Sequence, residues 1–194
     1  MSLRRATRGE RNNDGPHYST RMLRNRLQQD GAYDVINTTD IYSLLWRLPR
    51  LADYVAAVAP TSILHHIKPG QCRTQCAYII NVMPGVRHYN AKTGTYGHWV
   101  VLIVGGEKNE LFDCLGVRST GDYERDYGHE MTDFVTQNNC YPVNDELLDI
   151  KNCGFFCLLF CYYKCRGYAS EEAIKKLKKY KLNIVEKCER VFFL

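Results

Sequence analysis

The sequence predicts one domain of mixed class, in which an antiparallel β-hairpin stands among separate helices. Three observations predict it. The chain has 194 residues, 45% of them hydrophobic, enough for one substantial core and too little for two. His98 to Val104 reads HWVVLIV and Glu110 to Cys114 reads ELFDC. These β-forming runs, joined by the turn residues Gly105-Gly106-Glu107-Lys108, are the signature of a hairpin. On both sides of the hairpin apolar residues recur at helical spacing, most densely in GFFCLLFCYY from Gly154 to Tyr163.

Taken from the N-terminus, residues 1–32 read as a basic, flexible arm, rich in arginine and poor in anything to bury, with one short helix over Ser19 to Gln29. The domain proper spans 33–194. Thr39-Asp40 opens a helix with Ile41, Leu44, Leu45 and Leu48 on one face, and Pro49 stops it. A second helix is expected over Leu51 to Ala59. Gln75 to Met83 holds CAYII and NVM closed by Pro84-Gly85, which fits a buried strand or the end of a helix. After the hairpin Gly116 breaks the pattern. Asp122 to Asn138 then sets Tyr123, Tyr127, Met131, Phe134 and Val135 at helix-like spacing. A loop through Pro142 leads to an apolar helix that starts near Cys153. From Ser170, SEEAIKKLKKYKL reads as a helix with Glu171 and Glu172 in its first turn and lysines later, charges that suit the helix dipole.

Lysine and arginine number 26 against 21 acidic residues, a formal +5. The excess lies in Arg4, Arg5, Arg8, Arg11, Arg21, Arg24 and Arg26 and again in Lys175 to Lys181, ends that favour polyanionic partners unless they are only solvated surface. The nine cysteines are odd in number, and Met1 to Asp30 holds no apolar run of the secretory kind, so an intracellular, reducing setting is expected rather than secretion. Gly154 to Tyr163 is about half the roughly 20 apolar residues of a membrane span, so no membrane partner is expected.

The hairpin carries the first chemistry. With a two-residue Gly105-Gly106 turn, His98 lies directly across from Asp113; with a four-residue loop, Asp113 faces Val100, which shares a sheet face with His98. Either register puts imidazole and carboxylate on one face. Opposed or diagonal neighbours stand roughly 5 to 8 Å apart at Cβ, so the carboxylate reaches the ring. Such a partner fixes the histidine tautomer and stabilises the imidazolium.

The second piece is KNCGFFCLLF. Cys153 stands where a polar loop meets an apolar helix, and a helix N-terminus favours a thiolate. Gly154 leaves room beside it for a substrate backbone, and the Cys153 N–H is aimed to donate to an oxyanion. Cys157, Cys161 and Cys165 follow at one-turn intervals and read as packing residues. The row from Cys153 to Cys165 spans about 18 Å at 1.5 Å per residue, too far for one zinc. Cys72 and Cys76 lack the usual two-residue zinc spacing. No metal is expected.

GHWVVLI, LFDCLG and NCGFFC, in that order, resemble the His, acidic and Cys blocks of the adenovirus maturation protease (adenain) family. CAYIIN is similar to the family's preceding apolar block, so the likeness runs from Gln75 to Arg166, about half the chain. SUMO-deconjugating proteases share the arrangement more distantly. The resemblance implies an α+β, permuted papain-like fold, with a central, mostly antiparallel sheet flanked by helices and packed against the helix that starts at Cys153. It also implies a catalytic triad of Cys153, His98 and Asp113. The implied activity is that of a thiol protease, a cysteine endopeptidase that cuts viral structural precursors beside glycine during virion maturation, in the particle or in the host nucleus or cytoplasm. No cofactor is required for the chemistry. DNA and an activating peptide are implied partners, DNA through the basic arm and Lys175 to Lys181, the peptide through Cys140. The alternatives are a ubiquitin- or SUMO-like deconjugating protease and a weakly catalytic, basic, DNA-binding virion protein that kept the fold. One departure favours the last. Family members place an oxyanion-hole glutamine a few residues before the cysteine, where this chain has Glu146, Leu147, Leu148 and Asp149. Gln137 lies too far upstream, which leaves Asn144 and Asn152 as substitutes.

Overall fold

Seven consecutive β-forming residues decide the centre of the molecule. His98–Val104 is buried along its whole length, which a strand achieves only when both faces of its sheet are covered. The computed structural model describes residue 36 and residues 38–82, 98–116, 127–148 and 152–193. Within these, two helices, α1 (Thr38–Leu45) and α2 (Pro49–Tyr54), precede strand β1 (Val55–Pro60). Two 3-10 turns, Thr61–His66 and Pro69–Gln71, lead to β2 (Cys76–Val82). β3 (His98–Val104), β4 (Glu110–Phe112), α3 (His129–Gln137) and β5 (Tyr141–Pro142) follow. Three helices close the chain: α4 (Cys153–Lys164), α5 (Ser170–Lys178) and α6 (Ile184–Phe193).

The strands form one sheet in the order β1-β2-β3-β4-β5. β2 and β4 run antiparallel to β3, while β1 is parallel to β2 and β5 parallel to β4. The sheet is therefore mixed rather than mostly antiparallel, within an α+β architecture flanked by helices. Period-2 alternation sorts the β3 side chains: Trp99, Val101 and Ile103 join a core with Phe155, Leu158 and Phe160 of α4, where Phe112 and Phe160 stack at 4.2 Å. Val100, Leu102 and Val104 join a second core with Leu64, Met131 and Phe134 under α3. Lys164, Glu110 and Ser170 tie α4, β4 and α5 together. The Lys164 ammonium lies 2.9 Å from Glu110 Oε2 and donates to Ser170 Oγ at 2.8 Å, and that hydroxyl donates to the same carboxylate at 2.8 Å.

Several sequence expectations are corrected. The helix expected over Leu51 to Ala59 stops at Tyr54, and Val55–Pro60 pairs with β2 instead. Val55 and Val58 are buried there, and a ladder partner outweighs the mild helical preference of the alanines. Pro49 opens α2 at its first turn instead of closing α1, which ends at Leu45. Of Gln75 to Met83, Cys76–Val82 forms strand β2, and Met83 lies outside the described residues. The Glu110 strand stops at Phe112. The helix expected over Asp122 to Asn138 is broken at Gly128, φ 80: Tyr127 before it is helical, α3 follows it over His129–Gln137, and residues 122–126 lie outside the described residues. α5 starts at Ser170, as expected, with Ala169 as its cap residue and the Glu172 carboxylate accepting the Ala169 N–H at 3.3 Å. α5 ends at Lys178, and α6 follows where no helix was expected. β5 occupies part of the expected loop. The basic arm, and the helix expected in it over Ser19 to Gln29, lie outside the described residues. None of the described helices is long and apolar enough to cross a membrane.

Candidate active site

His98 opens β3, and Asp113 follows the last residue of β4. The ladder pairs Val101 with Phe112, Leu102 with Leu111 and Ile103 with Glu110. Continued by one residue, this register sets Asp113 across from Val100, which is the four-residue-loop alternative. His98 and Asp113 therefore share a sheet face, and His98 Nε2 lies 2.6 Å from Asp113 Oδ1. The pair is dry, with His98 8% and Asp113 1% exposed. The same Oδ1 accepts the Leu115 N–H at 2.8 Å. The Asp113 backbone is also held, because its carbonyl accepts from Asn144 Nδ2 at 2.5 Å and from the Gly116 N–H at 3.3 Å. Gly116 has φ 73, and a Cβ there would stand 2.6 Å from the Glu146 carbonyl carbon, so only glycine fits this turn.

Cys153 arrives from the opposite layer as the first residue of α4. The Phe155 and Phe156 N–H groups both donate to the Asn152 carbonyl, at 3.0 and 3.1 Å. The N–H groups of Cys153 and Gly154 precede them and lead the helix, where such groups lack intrahelical acceptors. One turn on, the Cys157 thiol donates to the Trp99 carbonyl at 3.2 Å. That contact presses the first turn of α4 against the start of β3 and brings Cys153 beside His98. The Cys153 side chain lies close enough to the imidazole to help raise its pKa. Since Nε2 is engaged by the carboxylate, Nδ1 is the nitrogen left for sulfur.

Burial alone would lower the His98 pKa, but the Asp113 charge and hydrogen bond, with a smaller contribution from Cys153, raise it well above the ordinary histidine value. The imidazolium is thus the favoured form beside the Asp113 carboxylate. Tyr127 lies nearly parallel to the His98 ring, 6.1 Å between centroids. All three sequence-predicted residues come together at one end of the sheet. The half-buried Cys153 is reachable from solvent.

The other cysteines divide cleanly. Cys157 and Cys161 are buried thiols pushed up by desolvation, as packing residues should be, and Cys165 is half-buried at the end of α4. Cys140 is 7% exposed in the second core, and burial pushes its thiol up to about 12. That placement is unsuited to a link with an activating peptide, which needs an accessible thiolate. Ligand atoms of His98, Asp113 and Cys114 lie within 4.8 Å of one another. The 2.6 Å contact between Nε2 and Oδ1 is a hydrogen-bond distance; two ligands of one zinc, each at about 2.0–2.2 Å from it, stand farther apart.

The two candidate substitutes for the missing glutamine also part company. Asn144 is 3% exposed, and its amide nitrogen serves the Asp113 and Glu146 carbonyls at 2.5 and 2.8 Å, so its donors are spent on the main chain rather than left for a substrate. Asn152 sits at the N-cap of α4, next to Cys153. Gln137 is exposed on α3, lining a groove with Leu64 and Phe134 on the other layer.

Sequence reasoning missed Ile36. Its carbonyl accepts from Trp99 Nε1 at 3.0 Å, and its side chain fills the space over Gly154. A Cβ on Gly154 would lie 2.6 Å from Ile36 Cδ1 and 3.3 Å from Trp99 Cδ1. That space is occupied, not open for a substrate as the glycine led us to expect. No family model matches the chain, and a search of curated proteins finds no match to it.

Proposed function

We propose that the chain is a cysteine endopeptidase acting by acyl transfer. The observation that carries this reading is the buried His98–Asp113 hydrogen bond, 2.6 Å long, with Cys153 beside the same ring at the N-terminus of α4. The Cys153 thiolate attacks a peptide carbonyl, and the N–H groups at the start of α4 receive the oxyanion. The His98 imidazolium gives its proton to the leaving amine, and the neutral ring then takes a proton from the water that hydrolyses the thioester. Asp113 holds the ring orientation throughout. The proposed substrates are viral structural precursors, and the proposed polyanion contact is the lysine-rich end of α5, where Lys175, Lys178, Lys179 and Lys181 are exposed.

The reading is tested with a proteome-derived peptide library and an iodoacetamide-type probe. New N-termini should arise with the wild-type protein and vanish with Cys153→Ala. At neutral pH Cys153 should alkylate ahead of Cys72, Cys76 and Cys165, the other half-buried thiols. Cleavage retained in Cys153→Ala, or a Cys153 that labels no faster than those three, would remove the proposal.

A further inference from the structure

Away from the candidate active site two other cysteines stand together. Cys72 follows the 3-10 turn Pro69–Gln71, and Cys76 opens β2. Both are half-buried, and both pack against the second core. Cys76 pairs across the ladder with Val104. The next residue, Gly105, has φ 82 and approaches so closely that a Cβ on it would stand 2.7 Å from the Cys72 Cβ. The backbone thus carries Cys72 to the residue beside the ladder partner of Cys76, which makes the two side chains neighbours, while the Cys72 thiol at present donates to the Lys68 carbonyl at 3.6 Å. Arg73, Thr74 and Gln75, between them, are exposed, so a small oxidant has a path to the pair.

We infer that Cys72 and Cys76 are a reversible dithiol that a peroxide-class oxidant closes to a disulfide. The Cys72 thiolate attacks a peroxide oxygen, the O–O bond breaks, and protonation of the departing hydroxide gives water and a Cys72 sulfenic acid. The Cys76 thiolate then attacks the Cys72 sulfur, the S–O bond breaks, and a second water leaves. Two thiols and one hydrogen peroxide become one disulfide and two waters, and a dithiol reductant reverses the change. Burial and the neighbouring Cys72 charge push the Cys76 thiol up to about 11, which suits the slower, resolving role. The bond closes the loop over the Gly105 turn, at the end of β3 opposite His98. It needs neither Cys153 nor any protease activity.

The full chain, treated with hydrogen peroxide, blocked with iodoacetamide and digested with trypsin without reductant, tests this. Trypsin cuts after Arg73, so the disulfide would join the peptide ending Gln71-Cys72-Arg73 to the one beginning Thr74-Gln75-Cys76. The expected result is that this linked pair becomes the main form of both peptides. It should be lighter by two hydrogens than the sum of the thiols, come from a monomer on a non-reducing gel, and disappear on reduction. It should persist in Cys153→Ala and be absent in Cys72→Ser and Cys76→Ser. Because the wild-type chain carries the primary readout, a poorly folding serine variant does not rescue a failed result. Separate sulfinic acids on the two cysteines, a bridge between chains, or thiols that stay unoxidised would each overturn the inference.

Discussion

Replacing Gly154 by alanine sets two opposite effects against each other within one helix turn. Alanine is favoured over glycine in a helix interior by about 1 kcal/mol, and less at a first turn. Against this, the new Cβ would stand 2.6 Å from Ile36 Cδ1, well inside van der Waals contact, and 3.3 Å from Trp99 Cδ1. Ile36 does not withdraw freely, since its carbonyl is held by the Trp99 indole at 3.0 Å and its side chain is 4% exposed. Overpacking of this kind costs about 1–3 kcal/mol, so it outweighs the helical gain, and a net loss of about 1–2 kcal/mol is expected. Ile36→Ala alone leaves a void and should cost about 2–4 kcal/mol. In the double variant the alanine at 154 grows into that void, so the two losses should fall short of additive by at least about 1 kcal/mol. Urea unfolding of the four proteins measures the cycle. Losses that add within about 0.5 kcal/mol, or a Gly154→Ala protein as stable as wild type, would refute the placement of Ile36 over the start of α4.

Three further outcomes follow from the same geometry. Because the folded-state His98 pKa is raised, its contribution to stability is fully present below the unfolded-state value of roughly 6.5 and is lost as pH rises through the folded value of about 10. The stability gap between wild type and His98→Gln in urea titrations should therefore be widest near the acid end of that window and shrink steadily towards its alkaline end; a gap that widens with pH contradicts the assignment. Asp113→Asn should slow Cys153 alkylation and peptide cleavage less than His98→Ala does, since the base survives and loses only its orienting partner, and equal losses in single-turnover assays would argue that another acid holds the ring. Lys164→Met strands the Glu110 carboxylate, whose side chain is 18% exposed, and should cost about 3 kcal/mol in chemical denaturation; Lys164→Met with Glu110→Gln should recover most of that, and an unrecovered loss would show that packing, not charge, is what Lys164 supplies.

The hairpin and the α4 start were legible because their signals are local. Period-2 patterning fixed the face shared by His98 and Asp113 whichever turn joined the strands, and the observed register, Val101 on Phe112, only selects between two equivalent answers. The polar-to-apolar step at Cys153 likewise needs no tertiary information. What stayed hidden depends on partners remote in sequence. Val55–Pro60 is a strand because β2 offers it a ladder, and nothing in VAAVAP announces that. The burial of Cys140 follows from α3 lying across the sheet, a placement that hydrophobic spacing around Met131 and Phe134 does not fix.

The same distinction bears on how the site works. Asp113 could have been held by its side chain alone, yet its main chain is fastened by Asn144. That asparagine also binds the Glu146 carbonyl, whose residue forms an ion pair with Lys178 at 2.9 Å, while Lys181 donates to the Leu147 carbonyl at 3.0 Å. The segment leading towards Cys153 is thus fixed at one side by the residue that orients His98 and at the other by the lysine-rich end of α5. Exposed ion pairs such as Lys178–Glu146 are worth little individually, about 0.2–1 kcal/mol, whereas the buried amide of Asn144 has no water to replace its two acceptors. Asn144 therefore sets the position of this segment, and the lysines trim it. Asn144, offered by the sequence as one substitute oxyanion donor, acts in the structure as the clasp between Asp113 and the segment that leads towards Cys153.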